Sequence, residues 1–300
     1  RLVFDDAVSP GTGGSTLTYG YVQLLTPSTA ARRDLNTEYV NNEAKRTKKT
    51  ADLDIFGGSF KIDRVLQDTS GAVNEIDFQM KQKIKAASNL FHYLVVNGST
   101  TNSAGFMQCK FDGLRKLLDG ASTNISAEAI DLTTVENIDK YMYSLALKVN
   151  KWLQTLADEP DMLMMNGDLL AVMQYIGQKM GYYERTKDDF GRPVSTYRGI
   201  PMVDAGKYYN GSKEVDCVAV DEKTGTSSLI AFKIGLDAFH GISPKESSAI
   251  IKSYLPDLNA PGAVKTGEAE LVAGVVLKNT KMAGMLTDIK IQPVAQEGEG

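Results

Sequence analysis

Apolar residues recur at steps of three and four between positions 74 and 97, and this spacing predicts the longest helix of the chain. The apolar stripe of this predicted helix consists of Ile76, Met80, Ile84, Ala87, Phe91 and Leu94. Asn97 and Gly98 then end the pattern, as residues that favour helix termination do. At about 1.5 Å per residue, the predicted helix spans about 35 Å.

A second run with the same spacing predicts a helix over residues 135–156. Thr133, with Glu136 three residues later, fits a capping box at its start. Met162–Met165 then has the pattern of a short buried strand, and Asp168–Met180 that of a further helix. This order of helix, strand and helix indicates a fold of mixed helical and sheet layers.

Shorter apolar runs bounded by turn residues predict additional strands. The earliest of them covers Phe60–Leu66. The later ones are Val215–Val220, Leu229–Ile234, Ala249–Ser253 and Leu271–Leu277. No internal repeat of about 20 to 50 residues is visible, which argues against a solenoid.

The N-terminal segment, from Arg1 to about Thr26, is rich in Gly, Ser, Thr and Pro and has little apolar periodicity. Such a segment buries too little apolar area to offset its own conformational entropy. We therefore expect an extended arm, outside the core, that becomes ordered against a neighbouring subunit; a frayed terminus is the alternative. Because the sequence starts with arginine rather than methionine, proteolytic processing is one expected origin of this end.

Residues 32–60 alternate weakly between polar and apolar, which favours a long, exposed β-hairpin. Positions 31–50 hold six basic and three acidic residues, although the whole chain has a net charge of -4. The basic residues are Arg32, Arg33, Lys45, Arg46, Lys48 and Lys49. They suggest an acidic partner surface. Since no aromatic residues are interleaved in the cluster, a subunit contact or a solvated face is favoured over nucleic acid.

Composition limits the classes of protein to which the chain can belong. With 300 residues and 42% hydrophobic content, the chain can form one large or two ordinary domains, and its net charge of -4 gives no reason to expect tight binding of nucleic acid. No apolar run reaches the roughly 18 residues of a membrane span, and no secretory signal is visible. Cys109 and Cys217 lack paired spacing, so we expect buried thiols rather than a disulfide framework or a zinc site.

A search for catalytic groupings identifies none. His92 lies on the predicted long helix and His240 in a predicted glycine-flanked turn, each without a patterned partner. Residues 97–105 lack the lysine of a phosphate-binding loop. The acid pairs Asp5-Asp6 and Asp188-Asp189 are better explained as solvated loop charges. We therefore predict no catalytic, cofactor-binding or metal-binding residues, no cofactor, and no enzymatic activity.

Residues 190–206 read Phe-Gly-Arg-Pro-Val-Ser-Thr-Tyr-Arg-Gly-Ile-Pro-Met-Val-Asp-Ala-Gly and follow a predicted helix. This helix and hairpin resemble the axial domain of tailed-bacteriophage major capsid proteins of the Hong Kong 97-type family. Phe111-Asp112-Gly113-Leu114 is similar to the step between domains in that family. The strand at 229–235 with the following Phe239-His240-Gly241-Ile242 is similar to a second step. The resemblance covers nearly the whole chain in the order of the family's elements.

The resemblance implies an α+β, Hong Kong 97-type capsid fold. Its expected parts are an N-terminal arm (1–30), an extended β-hairpin loop (31–62), a peripheral domain with a spine helix (63–115 and 225–265) and an axial domain (116–224 and 266–300). The extended loop of the family reaches over the adjacent subunit. Seven residues of this region are therefore interface candidates: Arg32, Arg33, Lys45, Arg46, Lys48, Lys49 and Phe56.

The implied function is that of a structural major capsid protein, whose pentamers and hexamers close into an icosahedral shell around double-stranded viral DNA. Scaffold, protease, portal and decoration proteins are the accessory partners expected from the resemblance. It places the chain in the virion, after synthesis and assembly in the host cytoplasm, with only non-specific DNA contacts and no membrane. Two alternatives stay open: an encapsulin nanocompartment shell, and an α/β enzyme with an unrecognised site.

Overall fold

A computed structural model of the protein describes residues 2–69, 74–181, 184–187, 193–245 and 251–293. The helices are α1 Arg64–Thr69, α2 Glu75–Asn97, α3 Leu114–Leu117, α4 Val135–Leu153 and α5 Gly167–Lys179, with a 3-10 turn at Thr280–Met282. The strands of the first half are β1 Phe4–Ala7, β2 Thr18–Thr26, β3 Lys45–Asp52, β4 Asp54–Asp63, β5 Gly98–Ser99, β6 Met107–Gln108 and β7 Asn124–Ser126. The strands of the second half are β8 Met162–Met165, β9 Glu184–Lys187, β10 Pro193–Tyr197, β11 Ile200–Asp204, β12 Lys207–Tyr209, β13 Glu214–Asp216, β14 Thr226–Phe232, β15 Phe239–Pro244, β16 Ile251–Tyr254, β17 Val264–Leu277 and β18 Ala283–Lys290.

A five-stranded sheet is organised around the long strand β17. Its order is β1-β15-β17-β16, and β4 also pairs with β17, antiparallel, from Asp63 opposite Val264 to Asp54 opposite Ala273. Helix α2 packs on this sheet, because its stripe residues Phe91 and Leu94 lie in one apolar cluster with strand residues such as Val275. Segments that are distant in sequence, such as β4, α2 and β17, therefore share one core.

A seven-stranded sheet forms the second layer, in the order β7-β18-β14-β8-β11-β10-β9. Helices α4 and α5 share an apolar cluster with its strands, in which Trp152 and Leu169 pack with Leu229 and Leu286. The Trp152 indole, although only 1% exposed, keeps a hydrogen bond from Nε1 to the Thr123 carbonyl at 3.0 Å. A buried indole thus contributes apolar area without leaving its N–H unpaired.

Several predicted elements are confirmed. Helix α2 has the expected extent, and the side chain of Asn74 caps it by accepting hydrogen bonds from two backbone N–H groups of its first turn. Strand β8 and helix α5 also lie where the sequence predicted them. The predicted hairpin is formed by β10 and β11, whose turn residues Arg198 and Gly199 have positive φ values of 54° and 83°. That left-handed pair matches the twist of a two-residue β-turn. Phe190–Arg192 lie outside the described residues.

Two local details differ from the sequence predictions: the cap of α4 and the end of β4. Thr134, not Thr133, caps α4, by accepting from the Asn137 N–H at 3.2 Å. Thr133 instead donates its hydroxyl to Asp131 at 2.7 Å. The strand predicted over Phe60–Leu66 ends at Asp63, because helix α1 begins at the next residue.

Strands late in the chain also have different bounds from those predicted. The run Val215–Val220 contains only the end of the short strand β13, and β14 starts three residues before Leu229. Strand β16 covers part of the predicted Ala249–Ser253, of which Ala249 and Ile250 lie outside the described residues. Strand β17 is fourteen residues long, twice the predicted Leu271–Leu277, because it pairs with different partners along its length.

The N-terminal segment is not purely an arm. Strand β1 pairs in parallel with β15, and Ala7 is fully buried. Strand β2, also inside the predicted arm, is the partner of β3. The extended hairpin therefore starts near Thr18 rather than at residue 31. The expected boundaries at 225 and 265 also differ from the sheets, since β14 belongs to the seven-stranded sheet and β17 to the five-stranded one.

Candidate assembly surface

The hairpin of β2 and β3 projects from the five-stranded sheet. Its strands pair from Thr18 opposite Asp52 to Thr26 opposite Lys45, with a bulge after Leu24. Nine residues of β2 at about 3.4 Å each give strands about 30 Å long. Residues 27–44 connect the strands without regular structure, and every residue from 25 to 46 is exposed. We call residues 27–44 the hairpin tip.

The base of the hairpin is anchored to its own chain. Tyr21 is 8% exposed and packs in a small cluster with Leu53, Ile242 and Val276. The side chain of Gln23 donates from Nε2 to the Leu277 carbonyl at 3.1 Å. The Leu24 N–H donates to the carbonyl of Lys278, also at 3.1 Å. Beyond this point the hairpin has no described packing against the body of the chain.

Large apolar side chains lie free on the outer part of the hairpin. Leu35 is 89% exposed and Val40 is 81% exposed, and Leu25 and Tyr39 are also mostly in solvent. Burial of one Leu or Val side chain is worth about 1.5–3 kcal/mol. Several such exposed side chains on one projecting segment offer apolar area that another protein can cover. These residues were not predicted from the sequence, because isolated apolar residues in a polar loop give no periodic signal.

The predicted basic residues lie on the same hairpin. Four of them, Lys45, Arg46, Lys48 and Lys49, line β3 and are exposed; they are called the β3 cations below. None takes part in an ion pair within the described part of the chain, and the facing strand β2 is uncharged. Unpaired cations on one strand leave a positive surface for an acidic partner.

The two tip arginines have different surroundings. Arg33 donates from Nη1 to the Thr37 carbonyl at 3.2 Å, and its guanidinium lies 5.3 Å from the centre of the Tyr39 ring. Arg32 is exposed. Both are therefore available on the surface of the tip, although Arg33 also stiffens the loop locally.

Phe56 is the exception among the predicted interface residues. Its side chain is 5% exposed and lies in the core, with its ring centre 5.9 Å from Phe91 and 6.2 Å from Phe111. The neighbouring Ile55 points the other way and is 53% exposed. Phe56 therefore stabilises the subunit rather than offering a surface contact. Successive side chains of a strand face opposite sides of its sheet, and this alternation along β4 was the signal that could have predicted the burial of Phe56.

The described side chains that could take part in catalysis or metal binding are dispersed over the fold. Cys217 is buried, and burial raises the pKa of its thiol to about 11; burial also raises the pKa of Cys109. Both thiols therefore stay protonated near neutral pH. His240 lies inside β15 rather than in the predicted turn. Among the described residues, no group of three or more His, Cys, Asp or Glu side chains could hold a metal ion. None of the described helices combines the length and apolar character of a membrane span.

Comparison with family models and with curated proteins finds no match. Solved structures do match. A chain of the holo-SrpI encapsulin complex from Synechococcus elongatus PCC 7942 aligns with a TM-score of 0.64 at 12% identity, over 98% of this chain and 88% of the other. The capsid of an empty GTA particle gives 0.56 at 11% identity, over 96% and 92%.

A third solved structure leads to the same architecture. The capsid of Myoviridae phage XM1 aligns with a TM-score of 0.51 at 11% identity, over 94% of this chain and 89% of that chain. All three matches span most of the length of both chains. The chain therefore has the Hong Kong 97-type fold, which phage capsid proteins and encapsulins share.

Proposed function

We propose that this chain is a structural shell subunit, and specifically a phage-type major capsid protein that self-assembles into an icosahedral shell around double-stranded DNA. The observation that supports this most directly is the projecting hairpin. Its tip exposes Leu35 and Val40 almost completely, and its β3 cations have no partner within the described chain. A second copy of the chain is the partner that can cover the same surface on every subunit.

Repetition explains how such contacts suffice. Each subunit in a closed shell both donates a hairpin and receives one, so contacts of a few kcal/mol are repeated around every symmetry axis. Pentamers and hexamers are the proposed units of that arrangement. Scaffold, protease, portal and decoration proteins remain proposed partners, and the virion the proposed location.

The net charge of the chain is consistent with a shell that encloses DNA without binding it tightly. The net charge of -4 opposes tight binding to a polyanion, whereas non-specific DNA binding depends on many phosphate contacts by lysine and arginine. In this proposal the β3 cations serve subunit contacts, and packaged DNA touches the shell only non-specifically.

A second candidate function is an encapsulin shell that encloses a protein cargo. The observation that favours it is the alignment with the SrpI encapsulin complex, whose TM-score of 0.64 exceeds the 0.56 and 0.51 of the two capsids described above. The two candidates predict the same assembled particle and differ in its content.

Electron microscopy of the purified full chain tests the proposal. We expect closed particles tens of nanometres across, and a discrete small oligomer under all conditions would contradict a shell function. Nuclease-protected DNA inside particles from the native host would support the capsid, and a co-purifying internal protein would support the encapsulin.

A matched pair of variants tests the role of the hairpin tip. Leu35→Ser with Val40→Ser removes apolar area that only a partner can bury, so we expect folded subunits that fail to close shells. Thr37→Ser with Asn41→Ser changes exposed polar residues in the same loop and should assemble like the unmodified chain. Equal assembly by the two double variants would contradict the assigned role.

A further inference from the structure

His240 is an anomaly at the centre of the five-stranded sheet. It lies on β15, which pairs with β1 on one side and with β17 on the other, where His240 is opposite Val276. Its side chain is 0% exposed, and neither ring nitrogen has a hydrogen-bond partner within the described residues. Buried polar atoms without partners are uncommon in folded proteins and call for an explanation.

The base of the extended hairpin covers this imidazole. The ring of Tyr19, on β2, meets the imidazole edge to face, with the ring centres 6.0 Å apart. Tyr19 stacks on Tyr21 of the same strand at 6.3 Å, and its hydroxyl donates to Asp5 Oδ2 on β1 at 2.5 Å. Tyr19 therefore connects β2 to β1 directly above His240. If the hairpin base lifts, water reaches the imidazole.

Three charged or titratable side chains face the imidazole from the elements packed around it: Asp5 on β1, Tyr19 on β2, and Lys278 just after β17. The Lys278 ammonium lies 5.9 Å from the centre of the Tyr19 ring. The carbonyls of Gly235 and Ala238 are the nearest backbone acceptors, but they already accept the N–H groups of Ala238 and Lys278. A protonated imidazole would therefore face one carboxylate, one repelling cation and two carbonyls that each already accept one hydrogen bond.

We propose that His240 is a proton-sensitive latch, which holds the base of the β2–β3 hairpin against the five-stranded sheet while its imidazole is neutral and releases it when the imidazole is protonated. The proton comes from solvent and binds a ring nitrogen once the base has lifted. The released hairpin would project from the sheet at a different angle. This property belongs to the single chain and does not depend on shell formation.

The direction of the effect follows from the environment of the ring. Burial lowers the pKa of His240 below its ordinary 6.5, the Lys278 ammonium lowers it further, and Asp5 with the two carbonyls acts in the opposite direction. With the base lifted, the imidazole titrates near 6.5. As the pH falls below 6.5, the lifted form takes up the proton first, so docking is fully stable above this pH and weakens below it.

Hydrogen–deuterium exchange on the full chain, kept as dispersed subunits between pH 7.5 and 5, tests the latch. After correction for intrinsic exchange, we expect the β2 amide that is bonded across the docked base, the Leu24 N–H on the Lys278 carbonyl, to exchange about tenfold faster for each pH unit below 6.5, until the pKa of the docked form is reached. Amides of α4, in the other sheet, serve as the internal reference and should keep their protection. A flat β2 profile in a chain with a protected α4 would overturn the proposal.

Two variants separate His240 from the other acid-sensitive groups. His240→Phe retains an aromatic ring under Tyr19 but cannot be protonated, so its β2 exchange should not depend on pH; His240→Gln serves the same purpose if the phenylalanine variant does not fold. His92→Gln, at the other histidine of the chain, should keep the pH response of the unmodified protein. A response that persists without His240 would assign it to Asp5 or another group and refute the latch.

Discussion

Replacing Phe56 by alanine distinguishes a core residue from an interface residue. The ring contacts those of Phe91 and Phe111, which also contact each other, and is 5% exposed. Alanine removes the whole ring from a site closed by the sheet and by α2, which cannot collapse freely to fill the space. We therefore expect the isolated subunit itself to lose stability, whether or not shells form.

The magnitude follows from the size of the group removed. Phe→Ala substitutions in well-packed cores cost about 3–5 kcal/mol in the free energy of unfolding. The two aromatic contacts account for about 0.5–1.5 kcal/mol each of such a loss. Ile55→Ala is the matched control on the same strand, because its side chain is 53% exposed and should cost under about 1 kcal/mol.

Thermal unfolding of dispersed subunits measures the effect. A loss of about 3 kcal/mol should lower the Tm by about 5 °C in a chain of 300 residues, because the entropy of unfolding is about 2.1 cal/mol/K per residue. Circular dichroism reports on both sheets, whereas the fluorescence of Trp152, the single tryptophan, reports on the seven-stranded sheet. Coincident transitions by the two probes would justify a two-state treatment.

Two results would refute the assignment of Phe56 to the core of the subunit. If Phe56→Ala leaves the Tm of the subunit unchanged and only prevents shell formation, then the ring acts between subunits. In that case its packing in the core does not stabilise the isolated subunit. If both Phe56→Ala and Ile55→Ala destabilise equally, β4 is sensitive to any truncation and burial is not the cause.

Three further predictions concern other parts of the chain. Gly241→Ala should detach β1 from β15 and increase proteolysis near the N-terminus, because a Cβ at this position would lie 2.4 Å from the Phe4 ring; Gly235→Ala, with nothing within 4 Å, should have no such effect. Replacing the β3 cations with serine should weaken assembly at low salt, where screening is least, while leaving the Tm of the subunit unchanged; equal assembly at every salt concentration would identify them as a solvated face. Iodoacetamide at pH 8 should label Cys217 on the order of a hundredfold more slowly than an ordinary exposed thiol, with the rate rising towards its pKa of about 11; labelling at the denatured rate would contradict burial.

The sequence predicted elements whose signal is local. Helix α2 repeats an apolar stripe over six turns and carries its own cap at Asn74, so its bounds were predicted closely. The hairpin with its turn at Arg198 and Gly199 was predicted from the family resemblance of residues 190–206; Gly199 suits left-handed backbone, whereas the residue type of Arg198 gives no signal for its positive φ of 54°. Adjacent Thr133 and Thr134 were not separable from sequence, because the choice depended on Asp131 accepting the hydroxyl of the first.

Non-local features could not be read from the chain. Strand β2 resembles a polar arm until its pairing with β3, which begins after eighteen intervening residues, is known. Phe56 belongs to a strand whose inward face is set by β17 and α2, neither of which is near it in sequence. For the same reason, the candidate surface was predicted from its basic residues, which form a local cluster in the sequence. The exposed apolar residues of the tip were not predicted, because their exposure depends on the fold of the rest of the chain.

The pairing of β4 with β17 determines when the protein can fold. The two strands lie about 200 residues apart in the chain, and β1 must likewise wait for β15. At roughly 5–20 residues per second, a ribosome needs about 10–40 s to make the intervening segment. During that interval β4 presents an unpaired edge, which is prone to aggregate. The five-stranded sheet is therefore completed only after β17 has been made, and subunit production in a crowded cell depends on protecting that edge until then.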